Sequence, residues 1–205
     1  MLNIKFSKED HRDGLADILR ESPLENANQV KQINTFRYTG IAGILSVALI
    51  ILGMIMIAKS RMEGLKIQIE RDTIMIFELI GGFAILQFLI LPFVHEFLHA
   101  LMYSRDTPTT IYFKNSHTYS EAKMSKSRYI LMLLTPHVFL CVLPFVLLML
   151  LMPILPVREA IVVLMLILYS DFTCLLDWGS AWVIAIFVPA KAKTYVRGKY
   201  LYWEY

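Results

Sequence analysis

The sequence predicts an all-α membrane protein of about four transmembrane helices, with a small β-hairpin in one connecting loop. Three observations carry this reading. Hydrophobic residues make up 57% of the 205 and charged residues only 18%, the apolar residues are gathered into long runs, and the charges lie mostly between those runs. An ordinary soluble domain carries about 25% charged residues and has nowhere to bury so much apolar surface. A helix needs about 20 residues to cross about 30 Å of hydrocarbon, and the runs have that length.

In chain order, residues 1–38 form a polar N-terminal segment in which Leu15, Ile18 and Leu19 space a short amphipathic helix ended at Ser22-Pro23. This segment lacks a short apolar core followed by a small-residue cleavage site, so the first span is expected to serve as an uncleaved insertion signal. That span, 39–58, contains no charge and is bounded by Arg37 and by Lys59 and Arg61. Beyond it, Leu65, Ile67 and Ile69 alternate with Lys66, Gln68 and Glu70, as in a strand. The second span, 74–103, contains Gly81-Gly82 and Pro92, which permit close packing or a kink.

The polar stretch 104–128 carries Thr109, Thr110, Tyr112, Phe113, Thr118 and Tyr119, residues that favour the strands of a hairpin. A third span, 129–152, contains Pro136 and Pro144, and a fourth, 157–188, is interrupted by Asp171, Asp177 and Gly179. The polar tail 189–205 bears Tyr195, Tyr200, Tyr202 and Trp203, expected to anchor it at the membrane interface. The spans thus make one transmembrane domain, 39–188, flanked by two polar ends. With four spans, 15 basic residues fall on the side of both termini and 5 on the other, which places the termini in the cytoplasm of a multi-pass plasma-membrane protein.

The net charge of +3 suits loops facing water and anionic headgroups, and no basic stripe interleaved with aromatics marks a nucleic-acid partner. The lipid bilayer is the partner the composition implies, while oligomeric state is not legible. Cys141 and Cys174 both sit in apolar runs, where a cysteine usually acts as a small hydrophobe.

The chemistry concentrates in His95-Glu96-Phe97-Leu98-His99 near the end of the second span. On a helix, His95 and His99 lie one above the other, so both imidazoles reach one tetrahedral zinc ion. Glu96 is offset from them, which suits a carboxylate that takes a proton from zinc-bound water rather than ligating. Ionisable groups inside a span cost about 2.5–3.5 kcal/mol each at the helix centre, and a divalent metal supplies the partner they need. A catalytic zinc takes three protein ligands. Candidates for the third are Asp171 and Asp177 in the fourth span, with His137 behind them; six residues apart on a helix, the two acids face different directions, and the one that does not ligate is expected to cap a helix or meet water.

The histidine motif ending a span, the stretch from Arg128 to Pro136 leading into a proline-containing third span, and an aspartate-bearing fourth span followed by Pro189-Ala190-Lys191 together resemble the bacterial putative zincin peptidase family. That family in turn is similar to the site-2 protease group of intramembrane metalloproteases. The resemblance covers roughly residues 74–196 and implies a zinc cofactor, a membrane-protein or peptide substrate, and Asp177 as the third ligand, from its spacing to Pro189. Typical site-2 proteases carry Asn-x-x-Pro and Asp-Gly at the corresponding place, where this chain has Asp177-Trp178-Gly179. The activity expected is hydrolysis of membrane or membrane-proximal peptides, with a zinc-binding protein that is not an enzyme, or an inactive protease-like scaffold, as the alternatives.

Overall fold

The structure, a computed structural model, describes residues 4–7, 28–29, 44, 48, 51–53, 55, 90–103, 106–112, 117–197 and 200–205. The expected amphipathic helix, the expected strand around 65–70 and the first part of the second span lie outside these residues. Of the first span, Ile44, Ala48, Ile51, Leu52, Gly53 and Ile55 are described, and all are helical.

Helix α1, Leu91–Met102, holds the histidine motif and begins with Pro92 in its first turn, where a missing N–H costs nothing. The third span forms as one helical run from Lys126 to Leu151, made of α2 (Lys126–His137), a π-helical turn (Val138–Val142) and α3 (Leu143–Leu151). In the π turn the Leu143 N–H bonds to the Val138 carbonyl, five residues back. The fourth span is α4, Val157–Phe187, one helix as expected, which runs unbroken through Asp171, Asp177 and Gly179, the residues that interrupt its apolar run. Packing of α4 against α2 and the π turn supplies what a single glycine or aspartate takes from helix propensity.

The all-α expectation needs correction, because the described residues also form two small sheets. One has the order β1-β3-β4 (Ile4–Ser7, Thr109–Tyr112, His117–Tyr119), the other β2-β7-β6-β5 (Asn28–Gln29, Tyr200–Glu204, Lys193–Arg197, Met124–Ser125). The hairpin expected in the loop is the antiparallel β3–β4 pair, joined by β1 in parallel. Tail residues form the β6–β7 hairpin, whose Tyr195 and Tyr202 rings stack and are buried, so these two are core residues and not interfacial anchors. Short strands are possible here because they lie in connecting segments, where the rule that only helices and closed barrels span hydrocarbon does not apply.

The α2 N-terminus ties the ends of two other helices. Ser125 caps α2 by accepting from the Arg128 N–H. The Arg128 guanidinium donates to the Met102 and Tyr103 carbonyls at the end of α1, and Lys126 Nζ donates to the Ala185 and Val188 carbonyls at the end of α4, each at 2.7 Å. Cations at helix C-termini satisfy carbonyls left without intrahelical donors and oppose the helix dipole. At the same end Lys123 pairs with Glu204 at 2.6 Å, and that hydrogen bond holds its ammonium above the usual lysine range.

Among the described residues, two buried clusters form the interior. One, around Tyr129, Met132, Leu133, Ala181 and Ile184, joins α2 and α4 to the second sheet; the other, around Cys141, Leu148, Leu164, Ile167 and Cys174, joins the π turn and α3 to α4. Facing outward are Leu150 (71% exposed), Phe172 (70%) and Leu176 (69%). Two helical runs, Lys126–Leu151 and Glu159–Phe187, are long and apolar enough to cross a membrane.

Candidate metal centre

Because His95 and His99 share one face of α1, both rings turn inward toward α4, and both residues are buried. Their Nε2 atoms stand 3.1 Å apart. Asp177, on the facing stretch of α4, brings Oδ2 to 3.0 Å from His95 Nε2 and 3.3 Å from His99 Nε2. Three ligand-type atoms from two helices therefore converge on one point.

The far side of each ring fixes which nitrogen faces that point. His99 Nδ1 lies 3.0 Å from the Met132 carbonyl, which only accepts, so Nδ1 carries the proton and Nε2 presents a lone pair. The Met132 carbonyl is open to this bond because its helical partner would be the N–H of residue 136, and Pro136 has none. His95 Nδ1 lies 3.7 Å from Cys174 Sγ, which again leaves Nε2 for the centre.

The donor set fits a zinc ion. Two imidazole lone pairs and a carboxylate oxygen held 3.0–3.3 Å apart repel one another unless a cation or proton lies between them. Asp177 Oδ2 is buried yet has no hydrogen bond of acceptable geometry, despite its closeness to His95. With zinc–ligand bonds of about 2.0–2.2 Å, tetrahedral geometry separates neighbouring ligand atoms by roughly 3.3–3.6 Å, close to the spacing found.

Glu96 is offset from the histidines and lines a cavity of about 140 Å³ with His99, Tyr103, His117, Thr118 and Asp177. The cavity lies against β4, and Thr118 Oγ1 donates to the Glu96 carbonyl at 2.8 Å, pinning that strand to the motif helix. β4 pairs with β3 on one side and has no second partner strand among the described residues.

Asp171 stands elsewhere. It is in mid-helix rather than at a cap, with Oδ1 3.1 Å from Nδ1 of His137. His137, Cys141 and Cys174 form a second buried group whose ligand atoms all lie within 4.8 Å of one another. Reading the two cysteines as small hydrophobes misses this group. Its signal in the sequence is a pair of helical spacings, His137 with Cys141 at four residues and Asp171 with Cys174 at three, each putting two metal-type side chains on one face.

A motif helix and a long apolar helix that enclose a buried histidine–histidine–aspartate cradle define a class, the helical proteins built around an HExxH segment. Residues 88–192, half of the chain, match the putative zincin peptidase family, and the chain belongs to that family. The matched span takes in the motif helix, β3 to β5, α2, α3 and α4. No curated protein and no solved structure matches the chain.

Proposed function

We propose that this protein is a membrane-embedded zinc metallopeptidase in which His95, His99 and Asp177 hold the metal and Glu96 is the general base. The observation that carries the reading is the convergence of two imidazole Nε2 atoms and one carboxylate oxygen within 3.3 Å, beside a glutamate in a cavity. Zinc bound there would lower the pKa of a coordinated water to about 7 and polarise a scissile carbonyl.

The chain's own residues do the rest. Met132 and Cys174 hold the two imidazoles with Nε2 inward, and partners of this kind commonly change metal affinity 10–100-fold when removed. Glu96 accepts the proton of the attacking water and passes it to the leaving amine. An extended peptide is expected to lie along the cavity that Glu96, His117, Thr118 and Tyr119 line, where the hydrogen bond from Thr118 to the Glu96 carbonyl joins binding and chemistry.

A bilayer location is supported by the outward apolar faces of the two long helices, which lipid would cover. The pairings of β1 with β3 and of β2 with β7 bring the N-terminal segment, the loop after α1 and the tail to one end, as an even number of spans requires. That end is the cytoplasmic one by the distribution of basic residues.

The test compares Glu96→Gln and His99→Ala in purified protein. Glu96→Gln is expected to keep its zinc and lose hydrolysis of a membrane-derived peptide at least 100-fold, while His99→Ala loses both zinc and hydrolysis. Hydrolysis at the wild-type rate in Glu96→Gln would show that the residue is not the base; zinc binding without hydrolysis in the wild type would favour a non-enzymatic or inactive protein.

A further inference from the structure

The buried group behind the zinc cradle repeats the feature that marks the cradle itself. His137 Nδ1 and Asp171 Oδ1 are both buried, in residues only 9% and 7% exposed, and approach to 3.1 Å, yet neither has a hydrogen bond of acceptable geometry. Among the described residues, four buried side-chain polar atoms lack such a partner; these two and Asp177 Oδ2 are three of them, with Thr194 Oγ1 the fourth. Atoms that come close without aligning on each other are better explained by a shared third party.

Cys141 and Cys174 complete the surroundings. Their sulfurs and a His137 ring nitrogen lie within 4.8 Å of one another, and both thiols are free and buried. Ligands bonded to one tetrahedral ion at about 2.0–2.3 Å stand roughly 3.3–3.8 Å apart, so modest side-chain rotation closes the remaining gap. The backbone bears on this too. The π turn Val138–Val142 carries Cys141 and starts just after His137, and such turns recur at functional sites because they re-aim side chains on one helix. Trp178 packs edge-on against His137 at 5.2 Å between ring centres and holds the imidazole in place.

We propose that His137, Cys141 and Cys174 form a second metal site, with Asp171 beside the His137 ring, for a borderline-soft transition-metal ion such as zinc. Two sulfurs and one imidazole match the preference of that class of ion, and bound as thiolates the two sulfurs balance its charge. The site adjoins the proposed catalytic centre through Cys174, whose sulfur also faces His95 Nδ1. A thiolate fixed there accepts the His95 Nδ1–H and holds its Nε2 toward the first cradle, so the second ion braces the first.

Metal content and cobalt(II) spectra of the full-length protein, purified under reducing conditions, test this. Sulfur-to-cobalt charge transfer in the near ultraviolet reports ligation by cysteine, and because Cys174 also stands within 4.8 Å of the ligand atoms of His95 and Asp177, Cys141 is the sulfur that reports the second site alone. Wild type is expected to bind two zinc ions per chain and to show the sulfur band with cobalt. Cys141→Ser, which does not touch His95, is expected to lose the band and keep one ion, and that retained ion shows that the variant is folded. His99→Ala is expected to keep one ion and the band, which separates this proposal from the peptidase reading. One ion per chain in the wild type, or a band that survives Cys141→Ser, would overturn it, as would loss of the band in His99→Ala.

Discussion

At the scale of single residues, Pro136 does more than bend a helix. A proline four residues after Met132 leaves that carbonyl without its helical donor, and in a site this buried an unpaired carbonyl costs about 1–3 kcal/mol. The His99 Nδ1–H at 3.0 Å fills the vacancy and is itself oriented by doing so. Pro136→Ala restores an N–H that competes for the same carbonyl. The helix is expected to keep or gain stability, while zinc affinity falls about 10–100-fold, the usual effect of disturbing a ligand's outer partner. Competition against a chelator of known affinity measures this, and an unchanged affinity would show that Met132 does not orient His99.

Among elements, α2 organises the site through its first turn as well as its interior. Arg128 and Lys126 point in opposite directions from that turn to close the C-termini of α1 and α4, the two helices that carry the cradle. Both cations are reachable by solvent, so each interaction is worth about 0.3–1 kcal/mol rather than the larger value of a buried one. Lys126→Ala and Arg128→Ala are each expected to lower the unfolding midpoint in detergent by a few degrees without changing zinc stoichiometry. The double variant should be close to additive, because the two side chains serve different helices. A drop in stoichiometry in either single variant would mean that the helix ends also set the position of the histidines or of Asp177.

Seen as a whole molecule, the described strands of the N-terminal segment, the loop after α1 and the tail gather at one end of the helices. Strands from the N-terminal segment, the loop after α1 and the tail share two sheets there, so these segments must lie on the same side of any membrane the helices cross. Single cysteines placed at Lys123 and Lys193, one in the loop and one in the tail, are therefore expected to label together, from the cytoplasmic side only, with an impermeant thiol reagent on intact cells and inverted vesicles. Labelling of the two from opposite sides would break the topology.

The sequence by itself determined the third and fourth helical runs and the motif helix, because length, apolarity and a four-residue histidine spacing are local properties. It also pointed to a hairpin in the loop, from its threonines and aromatics. It did not resolve the β6–β7 hairpin, although the sequence sets Gly198-Lys199 between two aromatic runs, and a glycine-led pair in such a place is a hairpin signal. Only the tertiary structure decided which aspartate faces the histidines. Asp171 and Asp177 have the same chemistry and share one helix, and the difference lies in how α4 turns against α1 and α2: that rotation sends Asp177 to the histidine pair and Asp171 to His137. The same packing brought Cys174 beside His137, since proximity between residues 37 positions apart is fixed by how helices pack and not by any pattern along one of them.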